Sequence, residues 1–265
     1  MYRGFCITEE TINDLMCSYF NTPGFIQKKY EEALSDLNIK STKITSTIAK
    51  ILQGDARGII DGDALQQACM PTTIGEYDVF ISHSHNSKKS AKDLAAFLKM
   101  KYGIRCFVDG FVWGSCDNDI LRPIDKIWSR HDSRKDSYSY EKRNFSTSHV
   151  HAMLSMALLE MIDQCECCIF IKPELEYNIA GISDCTLSPW IYEEISFFNK
   201  VAKHKPIRLM RVQESFSRGL KVRYKLDLSD IAELKKQHFQ KSIFDDSLSY
   251  TKAFKWLDYI YENVK

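Results

Sequence analysis

From Tyr77 onward, short apolar runs alternate with longer amphipathic stretches, and this alternation leaves the chain few folds to adopt. Tyr77 to Ser82 is an apolar strand pattern. Ser87 to Met100 follows as a helix with Ala91, Leu94, Ala95 and Leu98 on one face, closed by Gly103. Ile104 to Val108 is a second strand. His151 to Ile162 is apolar almost all round, which predicts a deeply buried helix, and Cys165 to Ile171 is a third strand. Ser188 and Pro189 suit the N-cap and first turn of a helix reaching Lys203. Pro206 to Val212 and Lys221 to Leu226 are weaker strand candidates, and Asp246 to Val264 closes the chain as an amphipathic helix. Strands separated by helices imply right-handed crossovers and a parallel sheet. About five strands suggest a flavodoxin-like α/β fold with the order 2-1-3-4-5. Ligands bind such sheets beyond the carboxyl ends of the strands, where the order reverses. The expected crevice lies between the first and third strands. Its walls are Ser82 to Asn86, the loop from Lys172 to Leu187, and the helix start at Ser188.

Residues 1–75 read differently, as helices only. Glu9 to Phe20, Pro23 to Leu37, Thr42 to Leu52 and Gly62 to Cys69 each space apolar residues helically, with glycine and proline between them. The expected division is therefore a helical N-terminal extension over 1–75 and an α/β domain over 76–265. Within the second lies an insertion at about 117–148. It begins as a helix, Asn118 to Trp128, and then turns polar and tyrosine-rich. A solvated loop is one reading of that stretch. A lid is the other, with Tyr140, Arg143, His149 and His151 as substrate contacts.

Lysine and arginine number 36 against 35 acids, a net charge of +1, which gives no electrostatic reason to expect nucleic acid or a membrane surface as partner. No apolar run suggests a secretory signal or approaches the roughly 18 residues of a membrane helix, so a cytoplasmic location is expected. Cys106, Cys165, Cys167 and Cys168 fall in strand patterns and read as reduced core residues. Cys165-Glu166-Cys167-Cys168 has no second ligand pair at zinc spacing, so no metal is expected.

The helix from Pro189 to Lys203 carries the most informative acids. Ile191, Ile195, Phe198 and Ala202 centre its apolar stripe, while Trp190, Glu194, Phe197 and Val201 border it about 70 degrees away. Glu193 points further round, toward solvent. Glu194 is thus placed to sit half-buried beside an indole and face the crevice, where it can stabilise a cationic sugar or orient ribose hydroxyls. A solvated helix carboxylate is the alternative.

Three motifs add a family resemblance. Asp78-Val79-Phe80-Ile81-Ser82-His83 resembles the first strand of TIR (Toll/interleukin-1 receptor) domains, and Ile104 to Asp109 resembles their second strand. Ser188-Pro189-Trp190-Ile191-Tyr192-Glu193-Glu194-Ile195 resembles their third motif, in which glutamate follows tryptophan by four residues. The resemblance covers residues 76 to 264 and implies the TIR form of the flavodoxin-like fold. It also implies cleavage of the nicotinamide–ribose bond of NAD⁺, with Glu194 as the catalytic carboxylate and NAD⁺ as substrate rather than cofactor. By position it assigns substrate contacts to Ser82, His83, Ser84 and His85, to Asp109, Trp113 and Gly114, and to Trp190. The first loop departs from the pattern, because many relatives carry arginine or lysine where Ser84 and His85 stand. Phe111-Val112-Trp113-Gly114 occupies the BB-loop position, whose aromatics contact a neighbouring subunit or the substrate unless Trp113 packs on its own domain. Bacterial TIR proteins with helical extensions resemble the sensors of Thoeris-type antiphage defence. That likeness implies self-assembly with other TIR protomers and an ADP-ribose-derived signal for a separate nucleotide-activated effector protein. Two other classes remain open: a TIR adaptor that only docks, and an enzyme like the nucleoside deoxyribosyltransferases, whose glutamate is a nucleophile.

Overall fold

Arg3–Thr8 (β1) is a strand, which corrects the expectation that the first 75 residues are helical throughout. A computed structural model describes residues 1–20, 25–38, 44–73, 76–131, 134–172, 188–206, 231–239 and 249–264. In it β1 lies inside a five-stranded parallel sheet with Val79–Ser82 (β2), Cys106–Phe107 (β3), Cys167–Lys172 (β6) and Ile231–Glu233 (β7). The order is β3-β2-β6-β1-β7. The expected 2-1-3 arrangement is present as β3-β2-β6, but the N-terminal strand fills the fourth position, between β6 and β7. The later strand candidates Pro206 to Val212, beyond Pro206 itself, and Lys221 to Leu226 lie outside the described residues.

Both faces of β1 are covered, with Phe5 and Ile7 fully buried and Cys6 nearly so. Such a strand has no reason to alternate polar and apolar residues. It passes directly into Glu9–Phe20 (α1), where Thr8 caps the helix by accepting the Thr11 N–H at 3.1 Å. Glu9 and Glu10 occupy the positive end of that helix, and Phe25–Asn38 (α2) comes next in the chain. Lys88–Tyr102 (α5) follows β2 and ends at Gly103, whose φ of +70° lets its N–H reach the carbonyls of Leu98 and Lys99. Tyr102 stacks on Trp256 of the closing helix Ser249–Asn263 (α10), with ring centroids 5.1 Å apart.

Pro189–Lys200 (α9) lies on the sheet because Gly4 has no side chain. A Cβ at Gly4 would come within 2.6 Å of the Phe198 ring, closer than real contacts allow. Gly4→Ala is therefore expected to lower stability by about 1–3 kcal/mol through overpacking. Thermal unfolding checks this. A Phe198→Leu background should remove part of the penalty, because the two positions share one contact.

The chain forms two compact units that interleave in sequence, so the boundary expected near residue 75 does not separate them. One contains Met1–Leu34, Gly75–Val108 and Ile162–Lys265; the other contains Ser35–Ile74 and Asp109–Met161. In the second, Ile44–Ile51 (α3) and Gly62–Cys69 (α4) belong with Asp109–Val112 (α6), a π-helical turn at Cys116–Leu121 and Arg122–Trp128 (α7). A short antiparallel pair, Arg130–His131 (β4) and Arg134–Tyr138 (β5), leads into Tyr140–Gln164 (α8). The polar part of the expected insertion is thus a strand and the first turns of a long helix, not a solvated loop. It is anchored by Asp125, which is 2% exposed and accepts from Arg143 Nε at 3.0 Å and Ser146 Oγ at 2.6 Å. Among the described residues no helix is long and apolar enough to cross a membrane.

Candidate functional site

The carboxyl ends of β2 and β6 lie side by side, with Ser82 in register with Phe170. From β2 the chain continues to the edge strand β3, whereas from β6 the next strand of this sheet along the chain is β7, at the opposite edge. The order reverses at this pair, and ligands of open α/β sheets bind beyond such a reversal.

Glu194 reaches this point from α9. Ser188 opens the helix as an N-cap, its Oγ accepting the Ile191 N–H at 3.3 Å, and Pro189 fixes the first turn. Ile191, Glu194, Ile195 and Phe198 form the buried face. Phe198 meets Phe170 of β6 edge to face, with centroids 5.6 Å apart. Glu194 is only 4% exposed, so it stands inside the apolar stripe rather than half-buried on its border. Glu193 is partly exposed.

A carboxylate this deep needs a hydrogen-bond partner. Ser82, 2% exposed at the end of β2, donates its hydroxyl to Glu194 Oε2. The charge of Glu194 is also felt on β6. Burial pushes the Cys168 thiol well above its usual range, and the neighbouring Cys167 and Glu194 raise it further. Burial likewise raises Cys165 and Cys167 in the same core. Among the described residues no cluster of three or more His, Cys, Asp or Glu side chains has metal-binding geometry.

Of the residues expected at the site, the structure brings Ser82 and Glu194 into contact. His83 and Ser84 follow Ser82 directly and are partly exposed, and His85 is exposed. The Ser84 hydroxyl serves the turn into α5, 2.8 Å from Ser87 Oγ and accepting the Ser87 N–H at 3.2 Å. Trp190 is partly buried in the first turn of α9. The wall expected from Lys172 to Leu187 is described only at Lys172, since 173–187 lie outside the described residues.

The remaining expected contacts belong to the second compact unit. Trp113 is 2% exposed and its indole N–H donates to the Pro71 carbonyl at 3.1 Å. It packs within its own unit, which corrects the reading of an exposed BB-loop aromatic. Asp109 starts α6, its carbonyl accepting the Trp113 N–H at 2.8 Å. Gly114 has φ +80°, and the Asp119 carboxylate sits where its Cβ would be, accepting the Ser115 N–H at 2.7 Å. That glycine is explained by the turn it makes. Tyr140 is 80% exposed at the start of α8. Arg143 is engaged by Asp125, and His149 lies edge-on to Phe145.

Sequence reasoning missed Gly4, which seats α9 and so sets the depth of Glu194. Its only signal was a glycine inside a short apolar run.

The arrangement is a fixed, buried carboxylate with a hydroxyl against one oxygen, at the reversal point of a parallel sheet. It suits stabilising positive charge on a sugar carbon or attacking that carbon. Neither a protein-family model, nor a curated protein, nor a solved structure matches this chain.

Proposed function

We propose that this chain is a TIR-type enzyme that cleaves the nicotinamide–ribose bond of NAD⁺, with Glu194 as the catalytic carboxylate. The observation that carries the reading is the burial of Glu194 against Ser82 where the strand order reverses. Nicotinamide leaves as a neutral base from a cationic glycoside, so no general acid is required. The bond to C1′ breaks with its electrons going to the nicotinamide nitrogen, and the ribose becomes oxocarbenium-like. A carboxylate held in a water-poor setting stabilises that charge more strongly than one in bulk water. Ser82 fixes the carboxylate's orientation. Water then adds at C1′ and releases a proton, giving ADP-ribose, or an internal nucleophile closes a cyclic product. In this reading the product is a signal for a separate effector protein in antiphage immunity, made in the cytoplasm by assembled TIR protomers.

The test is incubation of the purified protein with NAD⁺ and chromatographic measurement of free nicotinamide, with Glu194→Ala as comparison. Equal release by both proteins would reject the assignment.

One observation weighs against a TIR domain confined to residues 76–264 and leaves room for a second reading. The N-terminal strand β1 sits within the sheet, outside the segment that resembles TIR domains. An enzyme like the nucleoside deoxyribosyltransferases would use the same carboxylate as a nucleophile on a nucleoside. Base release from 2′-deoxynucleosides, with none from NAD⁺, would select it.

A further inference from the structure

We propose that the second compact unit carries a binding site for a small, uncharged aromatic molecule, in a cavity between α4, α7 and α8. The cavity measures about 770 Å³ and opens to solvent. Sites for small organic ligands span roughly 300–1,000 Å³ and pair mainly apolar walls with few polar groups. This cavity has that character. Ile60, Leu65, Ile124, Trp128, Phe145 and Met153 supply its apolar walls. Trp128 and Phe145 line it while remaining 40% and 69% exposed, so two large rings present faces to water that a flat ligand would cover.

The walls are held rather than loose. Trp128 donates its indole N–H to the Leu52 carbonyl at 3.2 Å, and His149 buttresses Phe145 with ring centroids 4.5 Å apart. Behind them, Ser146 and Arg143 tie α8 to the buried carboxylate of Asp125 on α7. Preorganised walls spare a ligand the entropy of ordering them.

Charge at the cavity selects against ions. Glu141 and Lys142 are adjacent lining residues of opposite sign, so they offer an acceptor and a donor with little net field. The favoured occupant is therefore a two- or three-ring aromatic without formal charge, carrying one hydrogen-bonding group toward that pair. The site lies apart from the sequence that forms the Glu194 site and does not depend on the reading of that residue.

Gly62 supplies a clean test. It lines the cavity, and a Cβ added there meets nothing within 4 Å. N-phenyl-1-naphthylamine, a neutral aromatic amine whose emission rises and shifts to the blue in apolar surroundings, serves as probe. The wild-type protein should bind it saturably at one equivalent. Gly62→Trp should weaken binding at least tenfold, Met153→Trp on α8 likewise, and Gly62→Ala less than twofold. The anionic analogue 8-anilinonaphthalene-1-sulfonate should bind at least fivefold more weakly. Glu194→Ala should bind like wild type. Absence of saturable binding, or unchanged binding in both tryptophan variants, would overturn the site. Equal or tighter binding of the sulfonate would overturn the ligand class. A dimer in sedimentation that excludes the probe would show that a second copy covers the cavity, and would also overturn it.

Discussion

Glu194→Gln is expected to reduce nicotinamide release from NAD⁺ at least a hundredfold, while Glu193→Gln leaves the rate within about threefold of wild type. The contrast follows from one residue's rotation along α9. Glu194 is buried against Ser82, whereas its neighbour is partly exposed on another face. Glutamine keeps the size of the side chain and can still accept the Ser82 hydroxyl, so the packing of α9 should survive. What it loses is the full negative charge that the proposed reaction sets opposite the developing oxocarbenium. Removing one preorganised electrostatic group from a water-excluded site typically costs about 10²–10³ in rate, or roughly 3–4 kcal/mol of barrier. Because the interaction strengthens only as the ribose becomes cationic, the loss should fall on kcat more than on KM. Ser82→Ala should be milder, about 5–30-fold, since it frees the orientation of the carboxylate without removing its charge. Chromatographic rates on proteins matched for thermal stability check all three. Comparable losses at Glu193 and Glu194 would mean that the helix face has been misjudged.

How much of this was legible beforehand depends on whether each element carried its own signal. Glu9–Phe20 and Gly62–Cys69 match their expected bounds, because apolar spacing and polar ends coincide there. β1 was hidden for a physical reason. It is six residues long, contains Gly4, is buried on both faces and runs into a helix with no intervening turn, so neither alternation nor punctuation marks it. The start of α8 was hidden differently. Glu141, Lys142, Arg143, Asn144, Phe145, Ser148 and His149 are exposed, and the run contains serine, threonine and histidine, which are weak helix formers. Tertiary bonds from Arg143 and Ser146 to Asp125 hold what local preference does not specify. At the site, helical spacing located Glu194 but underestimated its depth, since burial depends on Gly4, which is almost two hundred residues away in the chain. The contact with Ser82 joins the end of a strand to a distant helix, and spacing within one segment cannot reveal such a pair. Trp113 shows the converse. Its motif position suggested exposure, but the Pro71 carbonyl that receives its N–H comes from a segment read as a simple connection.

The second large effect concerns alkaline pH. The fold should lose several kcal/mol of stability between pH 8 and pH 10 in the presence of a non-thiol reductant. Seven cysteines, Cys6, Cys69, Cys106, Cys116, Cys165, Cys167 and Cys168, have thiols pushed above the ordinary value of 9.0, in each case chiefly by burial. The sign follows from proton counting. Below pH 9.0 both folded and unfolded chains keep these protons, and the stability is fully present. Above it the unfolded chain releases them while the fold retains them, so stability falls as pH rises toward the folded values. One unit above the ordinary value, each locked thiol forfeits about 1.4 kcal/mol. Cys106, Cys165, Cys167 and Cys168 are each 4% exposed or less, and before Lys101 is counted they account together for roughly 5 kcal/mol at pH 10, comparable with the whole stability of many domains. Lys101 acts in the opposite direction. Burial lowers its amine from 10.5 to about 8, so between those values the fold gives up a proton that the unfolded chain keeps, and stability rises. One lysine does not offset four thiols. Urea midpoints from pH 7 to 10 should therefore fall steeply above about pH 8.5. Lys101→Met should fall more steeply than wild type from pH 8, having lost the compensating proton. Cys168→Ala should fall less steeply by about one proton. A midpoint that holds constant to pH 10 would mean that these thiols ionise within the native state, and would overturn the prediction.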